Sequence, residues 1–392
     1  MKAILQSIIK EFQRRELPEV TDRNIDCPML KGKATVVTGM RRVGKTSLCY
    51  RQMGKLLQSG VDHSRILYLN FEDDRLFNFQ LSDCQTILDV YYTMFPDNRS
   101  QLCYFYLDEI QNVEGWERFA RRLIDTGNVQ LTLTGSSSKL LSDEIATSMR
   151  GRCISIEVLP FSFIEYLRYF KIFPELPEFL CDDDCSRLRS AMQRYFHIGG
   201  FSEIYQYDER YHRQILQEYA NMVILKDVAE RHKVSNLPAL RSLVKMLFNS
   251  GSQKFSVNKF SGTLNSVIGI KCSKNDLYDF MKYLEDAFLV FTLPIHTKSE
   301  RVRQANPAKV YLIDTGMTRW MAEDPDANKG HLLENLVYLH LRREGYSMEY
   351  ITTSKGDEVD FLAVNKQTRT KMLVQVAWEL SNDKTFKRET EA

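Results

Sequence analysis

The sequence lacks the features that define membrane, secreted and zinc-binding proteins. No apolar run of about 18 residues occurs among its 392 residues, so no membrane-spanning helix is predicted. The first residues become charged before an apolar stretch can form and no small-residue cleavage site follows, which argues against a signal peptide. Of the eight cysteines only Cys181 and Cys185 lie close, and no second pair completes a zinc site. Reduced thiols in a cytoplasmic protein are therefore expected.

The chain also has little net charge and no repeats or low-complexity tracts. The formal net charge is +2, so no overall field favours nucleic acid as a partner. Asn236–Trp320 is the exception, with 12 Lys and Arg against 6 Asp and Glu. This local excess raises the question of contact with phosphate without answering it. Because the chain is too long for one ordinary core, two or three domains are expected.

What the sequence does contain, up to Pro160, is a regular alternation of strand and helix patterns. Helical spacing appears in Thr46–Leu57 and in Glu117–Asp125. Strands that alternate with helices in this way form a parallel sheet covered on both faces, so the predicted fold class is α/β. The predicted strands are Lys33–Thr38, Ile66–Phe71, Cys103–Leu107, Val129–Thr134 and Ile154–Leu159.

The first predicted strand leads into a phosphate-binding motif. GMRRVGKT, from Gly39 to Thr46, fits G-x-x-x-x-G-K-[ST] between a strand and a helix, which is the context that this motif requires. The glycines allow backbone N–H groups to surround a phosphate, and the helix N-terminus adds partial positive charge. Lys45 is expected to reach the β- and γ-phosphates, and the Thr46 hydroxyl to bind Mg²⁺. The predicted ATP-binding residues of this segment are Gly39, Arg42, Val43, Gly44, Lys45, Thr46 and Ser47.

Two adjacent acids end the third predicted strand. A carboxylate at the end of a strand is where P-loop proteins hold Mg²⁺, and Asp108 takes that role here. Glu109 can then accept a proton from the attacking water, because Asp108 is committed to the metal. Lys45 and Glu109 are thus the central candidates for catalysis of ATP hydrolysis.

Three further polar side chains are candidates for sensing or stabilising the γ-phosphate. Thr134 and Ser136 follow another strand, and their hydroxyls reach the phosphate if this strand lies between the other two. Ordinary turn chemistry would explain the Gly-Ser run equally well. Arg152, in Arg150-Gly-Arg152, is suited to stabilising γ-phosphate charge in its own chain or in a neighbour, although surface arginines are common.

A family resemblance follows from these motifs. GMRRVGKT, NFEDDRL, LDEIQNVEGWERFARRL, TGSSSKLLS, RGR and PFSFIEYL, in this order, resemble the bacterial and archaeal AAA-type ATPases with a C-terminal restriction-endonuclease-like domain. The resemblance covers nearly the whole chain. It implies an AAA-like core, a helical lid, a winged helix and a nuclease-like module. Gly199-Gly200-Phe201-Ser202 departs from the family's Gly-Gly-Phe-Pro.

The resemblance also implies a nuclease-like site with altered residues. Glu334 and Asp360 match the two carboxylates of that fold, which hold Mg²⁺. Gln375 stands where the fold has Glu, and Ala377 where it has the lysine that supports the attacking water. Lys384, on the following predicted helix, is a candidate replacement. We expect a degenerate site at Glu334, Asp360 and Gln375 and an inactive nuclease.

Three short helical stretches after Leu240, then a strand at Phe288–Leu293, a basic turn and a strand at Val310–Ile313, predict a winged helix. Its candidate recognition helix, Lys274–Asp286, carries four acids and two lysines, which is unfavourable in a DNA groove. The candidate wing, His296–Arg303, is basic. DNA contact through the wing, protein contact through the helix, and a purely packing role all stay open.

These features together predict a multidomain ATPase. We expect ATP and Mg²⁺ as cofactors and a hydrolysis cycle that drives a conformational switch. An ATP-dependent DNA nuclease and an ATP-liganded DNA-binding regulator without significant turnover are the alternatives. DNA, another protein and further copies of the chain are candidate partners; a membrane is not. The expected domains are an AAA-like P-loop ATPase core at 1–160, a helical lid at 161–235, a winged helix at 236–320 and an incomplete restriction-endonuclease-like module at 321–392.

Overall fold

In the computed structural model the chain divides into two compact units, Met1–Val158 and Leu159–Ala392. The structure describes residues 1–137, 149, 151–173, 175, 177, 179–322, 329–353 and 357–378. Arg150 and Lys384 lie outside these residues. Within the described ranges, no helix has both the length and the apolar character needed to span a membrane.

The first unit is built on a five-stranded parallel sheet. The strands are β1 (Ala34–Thr38), β2 (Ile66–Asn70), β3 (Cys103–Asp108), β4 (Val129–Gly135) and β5 (Cys153–Glu157). Their order is β2-β3-β4-β1-β5. Every residue of β1 and of β4 is buried, as expected for central strands covered on both faces. The α/β fold predicted from the sequence is confirmed.

Four helices of the described chain accompany this sheet. They are α1 (Lys2–Arg14), α2 (Lys45–Gln58), α3 (Cys84–Met94) and α4 (Trp116–Asp125). Leu5 and Ile9 of α1 and Ile87 of α3 join the apolar residues of the strands in one buried cluster. Because α2 begins directly after the phosphate-binding motif, the sheet fixes where its first turn points.

The second unit begins with helices and contains two small antiparallel sheets. Its described α-helices are α5 (Phe163–Tyr169), α6 (Asp182–Ile198), α7 (His212–Met222), α8 (Leu237–Asn249), α9 (Val257–Thr263), α10 (Lys274–Asp286), α11 (Glu300–Ala305), α12 (Thr315–Met321) and α13 (Lys329–Arg343). Val223–Glu230 and Leu264–Ile268 are π-helical. One sheet has the order β6-β8-β7, with β6 (Gln253–Phe255), β7 (Val290–Leu293) and β8 (Ala308–Leu312). The other has the order β11-β10-β9, with β9 (Tyr346–Thr352), β10 (Glu358–Asn365) and β11 (Lys371–Val374).

Two features of the β6-β8-β7 sheet differ from the sequence prediction. The short strand β6 is absent from the prediction, because its sequence QKF is largely polar and two of its residues are exposed. The basic segment between β7 and β8, which the sequence predicts to be a turn, contains the short helix α11. Ser299 caps this helix by accepting a hydrogen bond from the Val302 N–H group.

The Gly199-Gly200 pair packs between two other segments of the second unit. A Cβ atom at Gly199 would lie 2.1 Å from a carboxylate oxygen of Asp314, and one at Gly200 would lie 2.3 Å from the Phe161 carbonyl oxygen. The Gly200 N–H group donates to Asp314 at 2.6 Å. The pair is therefore a packing feature: two glycines allow the backbone to approach Asp314 and Phe161.

Candidate nucleotide site

The phosphate-binding motif adopts the loop conformation that its glycines permit. Gly39, directly after β1, has φ 151°, and Gly44, directly before α2, has φ 92°. A Cβ atom at Gly39 would lie 2.2 Å from the Val158 carbonyl oxygen, so only glycine fits there. Gly44 caps α2 without a side chain. The cap therefore offers no side-chain acceptor to the N–H groups of the first turn, as an anion-binding helix N-terminus requires.

Lys45 links this loop to the end of β3. Its side chain is buried, and Nζ donates to the carbonyl oxygens of Gly39 and Met40 at 3.1 Å each. The same Nζ lies 3.2 Å from Oε1 of Glu109. The ammonium group is thus held at the loop by two neutral acceptors and one carboxylate.

Asp108 receives hydroxyl groups from three elements. Thr46, on α2, donates to Oδ2 at 2.8 Å, and Tyr68, on β2, donates to the same oxygen at 2.7 Å. Thr134, on β4, donates to Oδ1. The sequence predicts the Thr46 and Asp108 pairing but misses Tyr68. A hydroxyl oxygen and a carboxylate oxygen side by side are suitable ligands for Mg²⁺, which prefers oxygen ligands.

The position of β4 explains the contact of Thr134. β4 lies between β3 and β1. This is the strand order under which the hydroxyl groups at the end of β4 are predicted to reach the phosphate. Besides donating to Asp108, the Thr134 hydroxyl accepts the N–H group of Glu109 at 3.0 Å. Ser136, one residue beyond β4, is fully buried. The side chains of Arg42 and Ser47 are exposed, and their contact with a nucleotide stays a prediction.

Glu109 has an unusual backbone and a buried carboxylate. Its φ is 51°, in the left-handed region that non-glycine residues seldom adopt and that is frequent at functional sites. Burial acts to raise the pKa of Glu109, but the Lys45 charge and a hydrogen bond from Gln111 outweigh it, so the pKa lies below its usual value. Glu109 is consequently ionised and is a weak proton acceptor as long as Lys45 stays beside it.

Arg23 is a second residue that sequence reasoning misses. It precedes β1 and is 4% exposed, and its Nη1 donates to the carbonyl oxygen of Val43 at 2.8 Å. This contact holds the turn before Gly44 from outside the motif. Since Arg23 belongs to no recognised pattern, only the folded chain reveals it.

Arg152 lies at the opposite end of the strands from the phosphate-binding loop. It directly precedes β5, whose first residue pairs with Ala34 at the start of β1, whereas the phosphate-binding loop follows the end of β1. At ~3.3 Å per residue of strand, the start of β5 and the loop after β1 are roughly 20 Å apart along the strand direction. Arg152 forms a half-exposed ion pair with Asp125. The expectation that Arg152 meets a phosphate bound by its own chain is therefore incompatible with this geometry, and a role toward a neighbouring chain is what stays open.

The predicted nuclease-like residues meet in the second unit, around a lysine that the sequence analysis did not consider. Glu334, on α13, and Asp360, on β10, both lie 2.8 Å from Nζ of Lys309, on β8. The side chain of Gln375 accepts the backbone N–H group of Asp360 at 3.1 Å. In the part of the chain that the structure describes, no group of three or more His, Cys, Asp or Glu side chains is arranged to hold a metal ion.

Comparison with known families supports the assignment of the first unit. The AAA domain family matches residues 31–167, which include the loop, β3 and β4. A family described as a domain of unknown function matches residues 189–328. The first of these matches covers the region in which the motifs predict a P-loop ATPase core, and supports that prediction.

Related proteins extend over most of the chain. The uncharacterized protein MJ1544 of Methanocaldococcus jannaschii is 34% identical over 98% of this chain and 83% of its own length. An uncharacterized protein of Haemophilus influenzae is 31% identical over 88% of this chain and 82% of its own length. Their names assign no activity.

Solved structures give only a distant likeness. The Orc1 protein of Aeropyrum pernix, solved in complex with DNA, aligns with 83% of this chain and 92% of its own at 15% identity and a TM-score of 0.30. Cdc6p of Pyrobaculum aerophilum aligns with 78% of this chain and 88% of its own at 12% identity and a TM-score of 0.26. TM-scores this low assign no function.

Proposed function

We propose that this chain, which belongs to the same family as protein MJ1544 of Methanocaldococcus jannaschii and carries an AAA domain, binds ATP with Mg²⁺ and hydrolyses the nucleotide. One observation carries the proposal. Lys45, Thr46, Asp108 and Glu109 converge within hydrogen-bond or ion-pair distance where α2 begins and β3 ends. A cation, a hydroxyl and two acids at a helix N-terminus are the groups that phosphoryl transfer to water requires.

Each group has a distinct part in binding. The N–H groups of the first turn of α2 and the Lys45 ammonium bind the phosphates. Thr46 and Asp108 would hold Mg²⁺, and Tyr68 and Thr134 fix the Asp108 carboxylate by donating to its two oxygens. When bound, Mg²⁺ supplies positive charge that offsets the charge of the phosphate oxygens.

Glu109 is proposed to orient and deprotonate the attacking water. Its contact with Lys45 makes it a weak base, as its lowered pKa indicates. Phosphate oxygens compete with Glu109 for Lys45, and a carboxylate that loses a cationic neighbour in a buried site becomes a stronger proton acceptor. Binding of the triphosphate and activation of the base are thereby coupled through one ammonium group.

The second unit is proposed to respond to this cycle. The division into lid, winged helix and restriction-endonuclease-like module stays part of the proposal. Three helices and the β6-β8-β7 sheet support the winged helix, and the basic segment around α11 is the candidate surface for DNA. Gln375 and Ala377 argue against nuclease activity. A regulator that holds ATP without turnover is distinguished by measuring phosphate release with and without DNA.

The experiment that tests nucleotide binding compares two lysines of one helix. ATP with Mg²⁺ at a hundredfold excess over the dissociation constant should stabilise the wild type by about 2.7 kcal/mol. Lys45→Ala should abolish this stabilisation, measured by thermal shift. The matched control is Lys55→Ala, since Lys55 is exposed at the other end of α2. Equal stabilisation of wild type and Lys45→Ala would show that the phosphates bind elsewhere.

A further inference from the structure

The Lys309 ammonium of the second unit is surrounded by carboxylates. The residue is 3% exposed, and its Nζ lies 2.8 Å from Glu334, 2.8 Å from Asp360 and 2.6 Å from Glu358. An ammonium group has three N–H donors, and here three carboxylates surround it. The four residues come from three elements, β8, α13 and β10. We call these four residues the Lys309 cluster.

The carboxylates of the Lys309 cluster have further donors around them. The Tyr311 hydroxyl donates to Glu334 at 2.7 Å, and the backbone N–H group of Val376 donates to Asp360 at 3.0 Å. Lys254 lies 2.5 Å from the second oxygen of Glu358. The acids of the cluster thus receive ion pairs and hydrogen bonds from the chain itself, as buried charge requires.

A divalent cation at this place would compete with Lys309 for the same oxygens. Mg²⁺ requires oxygen ligands at 2.0–2.1 Å, so an ion bound by Glu334 and Asp360 would sit close to the position of Nζ. Two positive charges cannot share that position in a buried site without strong repulsion. Lys309 and a metal ion are therefore mutually exclusive occupants.

We propose that the Lys309 ammonium is the resident cation of this cluster and takes the place of a metal ion, so that the carboxylates form a divalent-cation site only when Lys309 is removed. The lysine is supplied by β8, 51 positions before Asp360 in the chain. In the wild type the cluster joins β8, α13 and β10 by charge. It binds no Mg²⁺ or Mn²⁺.

The test replaces the ammonium by an apolar side chain of similar length. Lys309→Met should bind about one additional Mn²⁺ per chain, measured without nucleotide by electron paramagnetic resonance of free Mn²⁺. Mn²⁺ is the probe because it tolerates poorer geometry than Mg²⁺. The additional ion should disappear in Lys309→Met combined with Asp360→Asn. Lys254→Met is the matched control, since it removes a lysine from the edge of the cluster and leaves Lys309 in place; it should bind as the wild type does.

The same variants decide the question through stability. Lys309→Met should melt at a lower temperature than the wild type, and Mn²⁺ should restore part of the loss in this variant alone. Mn²⁺ binding by the wild type that Asp360→Asn abolishes would overturn the proposal, because metal and lysine would then coexist, as a metal-dependent nuclease requires. A Lys309→Met protein that neither binds Mn²⁺ nor is stabilised by it, folded or unfolded, would equally overturn it.

Discussion

Two buried lysines of this chain, one in each unit, differ in the number of carboxylates that they contact. Lys45 has one carboxylate neighbour, Glu109 at 3.2 Å, and two backbone carbonyl oxygens. Lys309 has three carboxylate neighbours at 2.6–2.8 Å. The two side chains are equally buried, so burial alone does not distinguish the lysine proposed to bind phosphate from the lysine proposed to join three elements of the fold.

The two lysines differ in how strongly their partners compete with phosphate for the ammonium group. Carbonyl oxygens and a single carboxylate are weaker competitors for an ammonium than phosphate oxygens that carry full charge. Around Lys309 a ligand would have to displace three carboxylates, so phosphate oxygens have no comparable advantage there. We therefore expect Lys45, with one carboxylate and two neutral partners, to exchange them for phosphate, and Lys309, enclosed by three carboxylates, to have a structural role.

The backbone accounts for the two environments. Lys45 begins α2 after a left-handed glycine, beside the N-terminus of a helix, where anions are favoured. Lys309 lies on β8, the central strand of its sheet, between β6 and β7. Acids that reach Lys309 come from the neighbouring helix α13 and strand β10.

The largest expected effect concerns the carboxylate that Lys45 shares. Glu109→Gln should keep ATP binding and lower turnover on the order of a hundredfold, the usual size of a general-base contribution. Phosphate release measures turnover, and thermal shift with ATP measures binding. Glu114→Gln, six residues after the end of β3 and exposed, is the matched control. Turnover at the wild-type rate, or loss of binding together with turnover, would contradict the separate roles of Asp108 and Glu109.

The part of the nucleotide site that is contiguous in sequence could be predicted. The loop from Gly39 to Thr46 and the pair Asp108 and Glu109 are local patterns at strand ends, and parallel strands bring their carboxyl ends to one edge. The predicted strands differ from the observed ones by one or two residues, as β1 illustrates with Lys33–Thr38 predicted and Ala34–Thr38 observed.

Residues that act across strands could not be predicted. Tyr68 meets Asp108 from 40 positions away and Lys309 meets Asp360 from 51 positions away. Such contacts depend on strand register, and a shift of one residue would turn either side chain to the opposite face. Lys384, near Gln375 in the chain, is the replacement lysine that the sequence suggests, whereas the lysine that contacts Asp360 in the described structure is Lys309 of β8.

The next effect in size is a pH dependence of opposite sign in the two sites. Burial raises the pKa of Glu334 to about 7 from its ordinary 4.5, with Lys309 opposing the shift and Asp360 adding to it. A raised acid pKa contributes stability below pH 4.5 that is lost as pH rises through 7. The pKa of Glu109 is lowered instead, so its contribution is present above pH 4.5 and lost as pH falls further.

The measurement is chemical unfolding at several values between pH 5 and 7. The free energy of unfolding of the second unit should fall by at most about 1.4 kcal/mol per pH unit through this group. Tyr311 and Lys309 have raised pKa values, so these two neighbours of Glu334 keep their charge over this range. The pKa of His331 is lowered, and comparison with Glu334→Gln removes any slope that His331 contributes to both proteins. Glu334→Gln should flatten the slope. Parallel slopes in wild type and variant would show that Glu334 is ionised throughout.

The smallest expected effect separates Tyr68, which contacts Asp108, from the residues proposed to bind the nucleotide. Tyr68→Phe removes one of two hydroxyl donors from Oδ2 of Asp108, while Thr46 and Thr134 keep theirs. A single hydrogen bond of this kind contributes about 1 kcal/mol, so the Mg²⁺ concentration for half-maximal turnover should rise about fivefold. Maximal turnover at saturating Mg²⁺ should stay near the wild-type value, because Glu109 and Lys45 are unchanged. Titration of phosphate release with Mg²⁺ measures both quantities, and Tyr104→Phe, on β3, is the matched control. A fall in maximal turnover with unchanged Mg²⁺ dependence would mean that Tyr68 acts on the reacting groups themselves, and Tyr68 would then belong with Lys45 and Glu109 and not with the residues that position Asp108.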